Sequence, residues 1–307
     1  MSMVTVIIPT YNRARYVCQA LDSVLNQTYR DFDVIVVDDG STDETSQLLE
    51  SYKDRVTCIR QDNQGRAAAK NAGLSHAQGK YVAFLDSDDI WCPDKLERQV
   101  NFLETRPELS LAHGEVEVID SKGNPLRKET ERMKRLYRRQ RSKGETYSNF
   151  LETICMFPST VLVRRECFGT VGDFDTSLDI LEDFDWFLRV ASRYKVECLN
   201  QVPVTKYRVH QDNAYEKGND IVSEHYVRIY ARQMDNLHLT TDAKERTKAE
   251  RNLYHSLSIF HFNLGNLKES RSYALKAIAV SPFDPHTIKS LKRILASFRP
   301  VSHVAGR

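Results

Sequence analysis

Four short apolar runs, separated by stretches with helical spacing, fill the first part of the chain and constrain its fold more than any other feature. Residues 4–9 (VTVIIP), 32–37 (FDVIVV), 56–59 (VTCI) and 80–85 (KYVAFL) are rich in β-branched and aromatic side chains and read as strands. Between the first two, Val17, Leu21, Val24 and Leu25 recur at helical spacing. Ser41 with Glu44 makes a capping box, which predicts a helix start there. Residues 67–77 are alanine-rich and favour helix despite Gly73, and Pro93 suits the first turn of a helix over residues 94–104. Strands alternating with helices at this spacing require parallel crossovers, hence an α/β sheet with helices on both faces. In such sheets the ligand crevice lies outside the carboxyl ends of the strands. Here those ends are residues 9–12 (PTYN), 38–41 (DDGS) and 86–89 (DSDD), so polar and acidic groups collect along one edge.

Beyond residue 110 the alternation weakens. Residues 116–119 and 160–163 read as strands, 182–193 as an amphipathic helix and 202–209 as a last strand. From about residue 223 onward only helical periodicity remains. The polar stretch 211–222, which holds Gly218, suits a linker. We therefore expect an α/β domain over residues 1–215 and an α-helical region over 216–307. That length, 307 residues, accommodates one large domain or two of ordinary size.

Composition narrows the function classes. The formal charge is only +2, which gives no global reason to bind nucleic acid. No apolar run reaches the ~18 residues of a membrane span, and the start lacks a secretory leader, so a cytoplasmic chain is expected. Six scattered cysteines form no C-x-x-C pair and read as reduced structural thiols. No G-x-G-x-x-G follows the first strand. Near Gly79 a Walker-like loop fails on glycine spacing and on Tyr81, which replaces the hydroxyl residue that holds magnesium.

Asp86 and Asp88 carry the strongest chemical signal. At i and i+2 directly after a buried strand, both carboxylates can reach one hard cation, Mn²⁺ or Mg²⁺, which could bridge a diphosphate. Ordinary turn chemistry is the competing explanation. Asp39 can accept from a base imide or a ribose hydroxyl, or cap the helix that follows. Residues 63–66 (NQGR), with Gly65 and Arg66, lie near the same edge together with Lys70. Arg66 and Lys70 either meet a diphosphate or line a solvated helix face.

Four segments together, VIIPTYN (6–12), VVDDGSTD (36–43), AKNAG (69–73) and FLDSDD (84–89), resemble the inverting family 2 glycosyltransferases of the GT-A fold. The resemblance covers roughly residues 1–215. It implies a mostly parallel Rossmann-like sheet, a nucleotide-sugar donor, a D-x-D cation and transfer with inversion. By matching position it puts Pro9, Thr10, Tyr11 and Asn12 beside the nucleoside and Asp39 on the base. Asp86 falls at the ribose or the metal, with Ser87 beside it among the donor-binding residues, and Asp88 on the metal itself. Residues 182–186 (EDFDW) resemble the family's acidic segment and imply Asp183 as general base; the alternative is an acidic first helical turn favoured by the macrodipole. Residues 206–210 (KYRVH) resemble the segment that closes the domain, where His210 completes the metal site, touches phosphate or sits on the surface.

Other features carry less. Trp91 and Trp186 either wall an acceptor site or pack in the core. Residues 264–282 resemble the second half of one tetratricopeptide repeat, with 253–263 as its first helix. Residues 127–143 hold nine Lys or Arg against two Glu: a solvated loop or helix, or a surface that draws a glycan or lipid-linked anionic acceptor, or contacts an anionic membrane peripherally. The tail residues Lys289, Lys292, Arg293 and Arg299 could assist. Two alternatives to a transferase stand: a sugar-1-phosphate nucleotidylyltransferase, disfavoured by the absence of glycine in residues 9–13, and a helical adaptor carrying an inactive transferase domain.

Overall fold

The computed structural model describes residues 2–211, 219–282 and 284; Gly218 and the basic tail residues Lys289, Lys292, Arg293 and Arg299 lie outside them. The chain divides into two compact units, Met1–Thr146 with Ile154–Ala214, and Tyr147–Thr153 with Tyr215–Arg307.

The first unit is built on one sheet of eight strands: β1 (Val4–Thr10), β2 (Phe32–Asp38), β3 (Thr57–Arg60), β4 (Tyr81–Phe84), β5 (Ile90–Trp91), β6 (Leu109–Ile119), β7 (Leu162–Arg164) and β8 (Lys195–Arg208). Their order is β3-β2-β1-β4-β7-β6-β8-β5. The pairs β1–β2, β1–β4, β2–β3 and β6–β8 are parallel; β7 runs antiparallel to both β4 and β6. This is the α/β sheet that the alternation predicts. Every residue of β1 is buried, as a central parallel strand covered on both faces must be. Between the strands run α1 (Val17–Leu25), α2 (Thr45–Leu49), α3 (Arg66–His76), α4 (Lys95–Glu104) and α5 (Arg127–Lys143). Helix α6 (Tyr147–Phe150) belongs to the second unit, and α7 (Glu166–Val171) and α8 (Glu182–Ala191) to the first.

Three local expectations need correction. Helix α2 starts at Thr45, not Ser41: the Ser41 hydroxyl accepts from Asn12 N at 3.0 Å, and Asp43 Oδ1 accepts from Thr45 N at 3.0 Å. Strands β6 and β8 begin at Leu109 and Lys195, well before the expected starts. Register shifts between Leu109 and Leu111 and around Glu115 break the period-two pattern by which a strand is read. The strand expected at 160–163 splits into a short 3-10 turn, Pro158–Thr160, and β7.

The second unit contains α9 (Asn219–Asn236), α10 (Ala243–Asn263) and α11 (Leu267–Val280). Asp242 caps α10 by accepting from Glu245 N at 2.8 Å. Leu253, Leu257, Ala274 and Ala277 are buried, and the Ser270 hydroxyl donates to Ser258 O at 2.8 Å, so α10 and α11 pack as a close hairpin. The first helix of that hairpin begins at Ala243, earlier than the periodicity at 253–263 suggests. Segment Tyr147–Thr153 joins this unit through its backbone: Tyr230 Oη donates to Leu151 O at 2.9 Å and Asn252 Nδ2 to Ser148 O at 2.7 Å. No described helix is long and apolar enough to cross a membrane, and none of the six cysteines is bridged.

Candidate active site

The carboxyl ends of β1, β2, β4 and β8 and the start of α8 supply the polar groups. Asn12, at the end of β1, adopts φ +51° and its Oδ1 accepts from Thr42 N at 2.8 Å, tying this loop to the one after β2. Leu181, just before α8, has φ +64°. Among the described residues these are the only non-glycine positions with positive φ, and both adjoin the predicted site, where strained backbone tends to gather. Thr10 is buried, and its hydroxyl has no partner among the described residues; Tyr11 beside it is 42% exposed.

Asp39 is buried and committed to its own protein. Its Oδ1 accepts from Gln61 Nε2 at 2.7 Å and Gln64 N at 2.9 Å, and its Oδ2 from Gly65 N at 2.8 Å. It therefore fixes the loop that leads into α3; Oδ2 keeps one acceptor direction. It caps no helix after β2.

The loop after β4 carries the D-x-D pair. Asp88 Oδ2 lies 3.0 Å from His210 Nε2 and 3.3 Å from Arg13 Nε. Although burial acts to raise it, those two neighbours hold the Asp88 carboxyl below its usual range. The half-buried Asp86 carboxylate accepts no hydrogen bond from the described residues. Burial, with the charges of Asp88 and Asp183, pushes it up to about 6 against the pull of Lys70 and Arg66. Asp89 fastens the loop: Oδ2 accepts from the Ser159 hydroxyl at 2.6 Å and Oδ1 from Arg208 N at 2.9 Å, while Arg208 Nε donates to Asp88 O at 2.7 Å. Ser87 is buried in the same turn.

Helix α8 brings Glu182 and Asp183 to this edge. Glu182 Oε1 pairs with Lys70 Nζ at 2.7 Å, and both side chains are at most 2% exposed. The solvated-face reading of Lys70 is thus wrong; its partner comes from 112 residues later in the chain. Burial acts to lower the pKa of this lysine, but Glu182, Asp86 and Asp183 keep it raised. Arg66, one turn earlier on α3, is exposed and stands in the field of the same carboxylates. Burial, then the charge of Glu182, raises the Asp183 carboxyl.

Neither tryptophan can wall an acceptor site. Trp91 is 2% exposed and donates to Ser159 O at 2.8 Å; Trp186 is fully buried, stacked 4.6 Å from the Phe168 ring. The sequence reading missed Arg13, the Asp89–Arg208 fastening and Tyr16, whose ring sits 5.1 Å from that of His210. Arg13 was findable, since it directly follows the PTYN run.

Among the described residues, the tightest His, Cys and acid trio is elsewhere: His113, Glu145 and Cys198, with ligand atoms within 4.8 Å of one another. His113 Nε2 lies 3.1 Å from Glu145 Oε1. Burial opposes the charge, but Cys198 and Glu145 raise the imidazole to about 10, so this trio reads as a buried ion pair. Asp86, Asp88 and His210 are not drawn together to that degree. Their donor set nonetheless fits a hard cation, because the Asp86 carboxylate accepts no hydrogen bond from the described residues and all three offer oxygen or imidazole donors.

The model for Glycosyl transferase family 2 matches residues 5–170. The chain belongs to glycosyl transferase family 2. An uncharacterised glycosyltransferase of Haemophilus influenzae is 33% identical over 219 residues, 70% of this chain and 79% of that protein. The putative teichuronic acid biosynthesis glycosyltransferase TuaG of Bacillus subtilis is 35% identical over 55% of this chain and 65% of its own length. The chain spans 60% and 64% of two uncharacterised Rickettsia glycosyltransferases, from R. prowazekii and R. typhi, that are 34% identical to it. Among solved structures, S. aureus TarS 1–349 in complex with UDP-GlcNAc superposes with a TM-score of 0.68 at 19% identity, covering 97% of this chain and 89% of that one. The mannosyltransferase PcManGT of Pyrobaculum calidifontis, in complex with GDP-Man and Mn²⁺, gives 0.59 at 22% identity, covering 97% and 81%. These neighbours share the fold, a mixed sheet flanked by helices with a helical C-terminal region.

Proposed function

We propose that the protein transfers a sugar from a nucleoside-diphosphate sugar to a hydroxyl acceptor, with inversion, in the synthesis of a cell-envelope glycan. One observation carries this reading: the Lys70–Glu182 ion pair, at 2.7 Å, ties the start of α8 to α3, so that Asp183 and Asp86 stand in each other's electrostatic field. The donor class is supported by UDP-GlcNAc and GDP-Man in the structural neighbours, and the envelope role by the name of TuaG.

Thr10, Tyr11 and Asn12 would receive the nucleoside, with Asp39 shaping the floor through residues 61–65. Asp86 and Asp88, with His210 beside them, would hold a divalent cation, which neutralises the diphosphate as it leaves. Asp183 is the base. It takes the proton of the acceptor hydroxyl as that oxygen bonds to the anomeric carbon, while the bond from that carbon to the diphosphate breaks. A raised carboxyl pKa suits this task, since a stronger base accepts the proton more readily near neutral pH.

A thermal-shift panel of UDP, GDP, dTDP and their sugars, each with and without Mn²⁺, tests the donor assignment. Ligand at 100 times its Kd stabilises by about 2.7 kcal/mol, so one base should stand out, and more strongly with the cation. If no nucleotide raises the melting temperature under any condition, the reading fails.

A further inference from the structure

Helix α5 holds nine Lys or Arg against Glu129 and Glu131, a charge that the donor site does not use. Its inner face is fixed. Tyr137 and Gln140 are buried, Gln140 Oε1 accepts from Cys155 N at 2.7 Å, and Arg141 Nη1 pairs with Glu115 at 2.6 Å. The outward face is therefore fixed too. Lys128, Arg132 and Arg135 fall at i, i+4 and i+7, so they form one exposed stripe, and Arg139 continues its line. Neither these three nor Arg127 has an ion-pair partner among the described residues; Glu131 is taken by Lys134 at 2.9 Å. Like charges at this spacing destabilise a helix by a few tenths of a kcal/mol per pair, a repulsion that an anion lying across them relieves.

The stripe also begins beside the site. Ile119, at the end of β6, pairs with Arg208, whose Nε donates to Asp88 O. The chain then turns, and Leu126 N returns to Val118 O at 2.8 Å, setting the first turn of α5 next to that edge. From there the helix extends about 25 Å at 1.5 Å per residue.

We propose that α5 is the acceptor track, binding a linear acceptor that carries repeated negative charges, phosphodiester or carboxylate, along Lys128, Arg132 and Arg135. This rests on the transferase reading and names its acceptor class. A membrane surface fits less well: none of the large exposed hydrophobic residues, Tyr11, Val202, Val209, Ile221 or Leu275, lies on α5 to insert among lipids. A line of charges running from the site edge matches a chain better than a plane.

The test uses the full chain, end-labelled linear polyphosphate as probe, and fluorescence anisotropy over a salt series. The triple variant Lys128→Glu, Arg132→Glu, Arg135→Glu should bind at least ~10-fold more weakly, and the matching Gln variant should fall between it and the wild type. The slope of log K against log salt should shrink by about 2–3, since each lost cation releases somewhat less than one counterion. The thermal shift with UDP-sugar and Mn²⁺ should persist in both variants, which separates this proposal from the donor assignment. Polyphosphate binding unchanged by the substitutions would overturn it. So would variants that lose binding to phosphatidylglycerol vesicles while keeping polyphosphate, which would make the stripe a membrane contact.

Discussion

His210 Nε2 lies 3.0 Å from Asp88 Oδ2, although 122 residues separate them. The contact closes the sheet edge on itself, because β8 delivers the histidine to the loop that follows β4. In one tautomer Nε2 donates to the carboxylate; in the other it can ligate a cation. Both roles are compatible with the cation proposed for Asp86 and Asp88.

Removing the carboxylate should disable that site without unfolding the protein. Asp88→Ala acts on a half-buried loop residue outside the core. We expect turnover to fall by about 10²–10³-fold, the scale of losing one preorganised electrostatic partner. Chelation by EDTA should act likewise and be reversed by Mn²⁺. Full turnover in metal-free enzyme would remove the cation from the account.

The Lys70–Glu182 pair should matter for stability. Breaking one partner of a buried pair leaves an uncompensated charge and costs about 3–5 kcal/mol, so Lys70→Met should unfold at clearly lower urea than wild type. Adding Glu182→Gln should recover part of the loss. A Lys70→Met protein with wild-type stability would mean that α8 is anchored by other contacts.

How much of this the sequence revealed depends on range. The strands β1, β2 and β4 and their polar ends were legible because a buried parallel strand is a continuous apolar run stopped by turn residues. The role of Lys70 was not, because its partner lies on α8 and nothing local marks a lysine as buried. The resemblance puts Asp39 on the base, but the hydrogen bonds its oxygens accept from residues 61–65 are a tertiary contact with no sequence pattern. The tryptophans were ambiguous for the same reason. Segment Tyr147–Thr153 shows no composition shift, yet it packs with the C-terminal helices.

Gly40 ties the DDGS turn to the loop before α3. It adopts φ +77°, and a Cβ there would stand 2.8 Å from Asn63 N. Gly40→Ala should therefore destabilise by about 1–3 kcal/mol, combining backbone strain with a clash against main chain. Nucleotide binding should weaken too, since the displaced loop includes Gln64 and Gly65, which Asp39 holds. Calorimetry showing unchanged stability and nucleotide affinity would contradict this.

The His113–Glu145 pair gives a pH dependence through residues outside the candidate donor site. The imidazole is raised to about 10 in the folded state against an unfolded value near 6.5. Its contribution is then fully present below about pH 6.5 and is lost as pH rises through about 10. Urea midpoints should decline across that window, and more shallowly in Glu145→Gln, which removes the paired charge. Parallel declines in both proteins would show that the pair does not titrate as described.

In the proposed mechanism Asp183 deprotonates an acceptor while Asp86 and Asp88 serve the donor. The direct measurement is nucleoside diphosphate release, with the stabilising donor, Mn²⁺ and acceptor, in wild type and Asp183→Asn, alongside donor affinity by calorimetry. We expect turnover to fall by about 10²–10⁴-fold with donor affinity unchanged. In wild type, kcat/KM should fall on the acid side at a pH above the ordinary carboxylate range, because burial and Glu182 raise this carboxyl. An Asp183→Asn enzyme that turns over like wild type, or one that loses donor binding instead, would contradict the assignment.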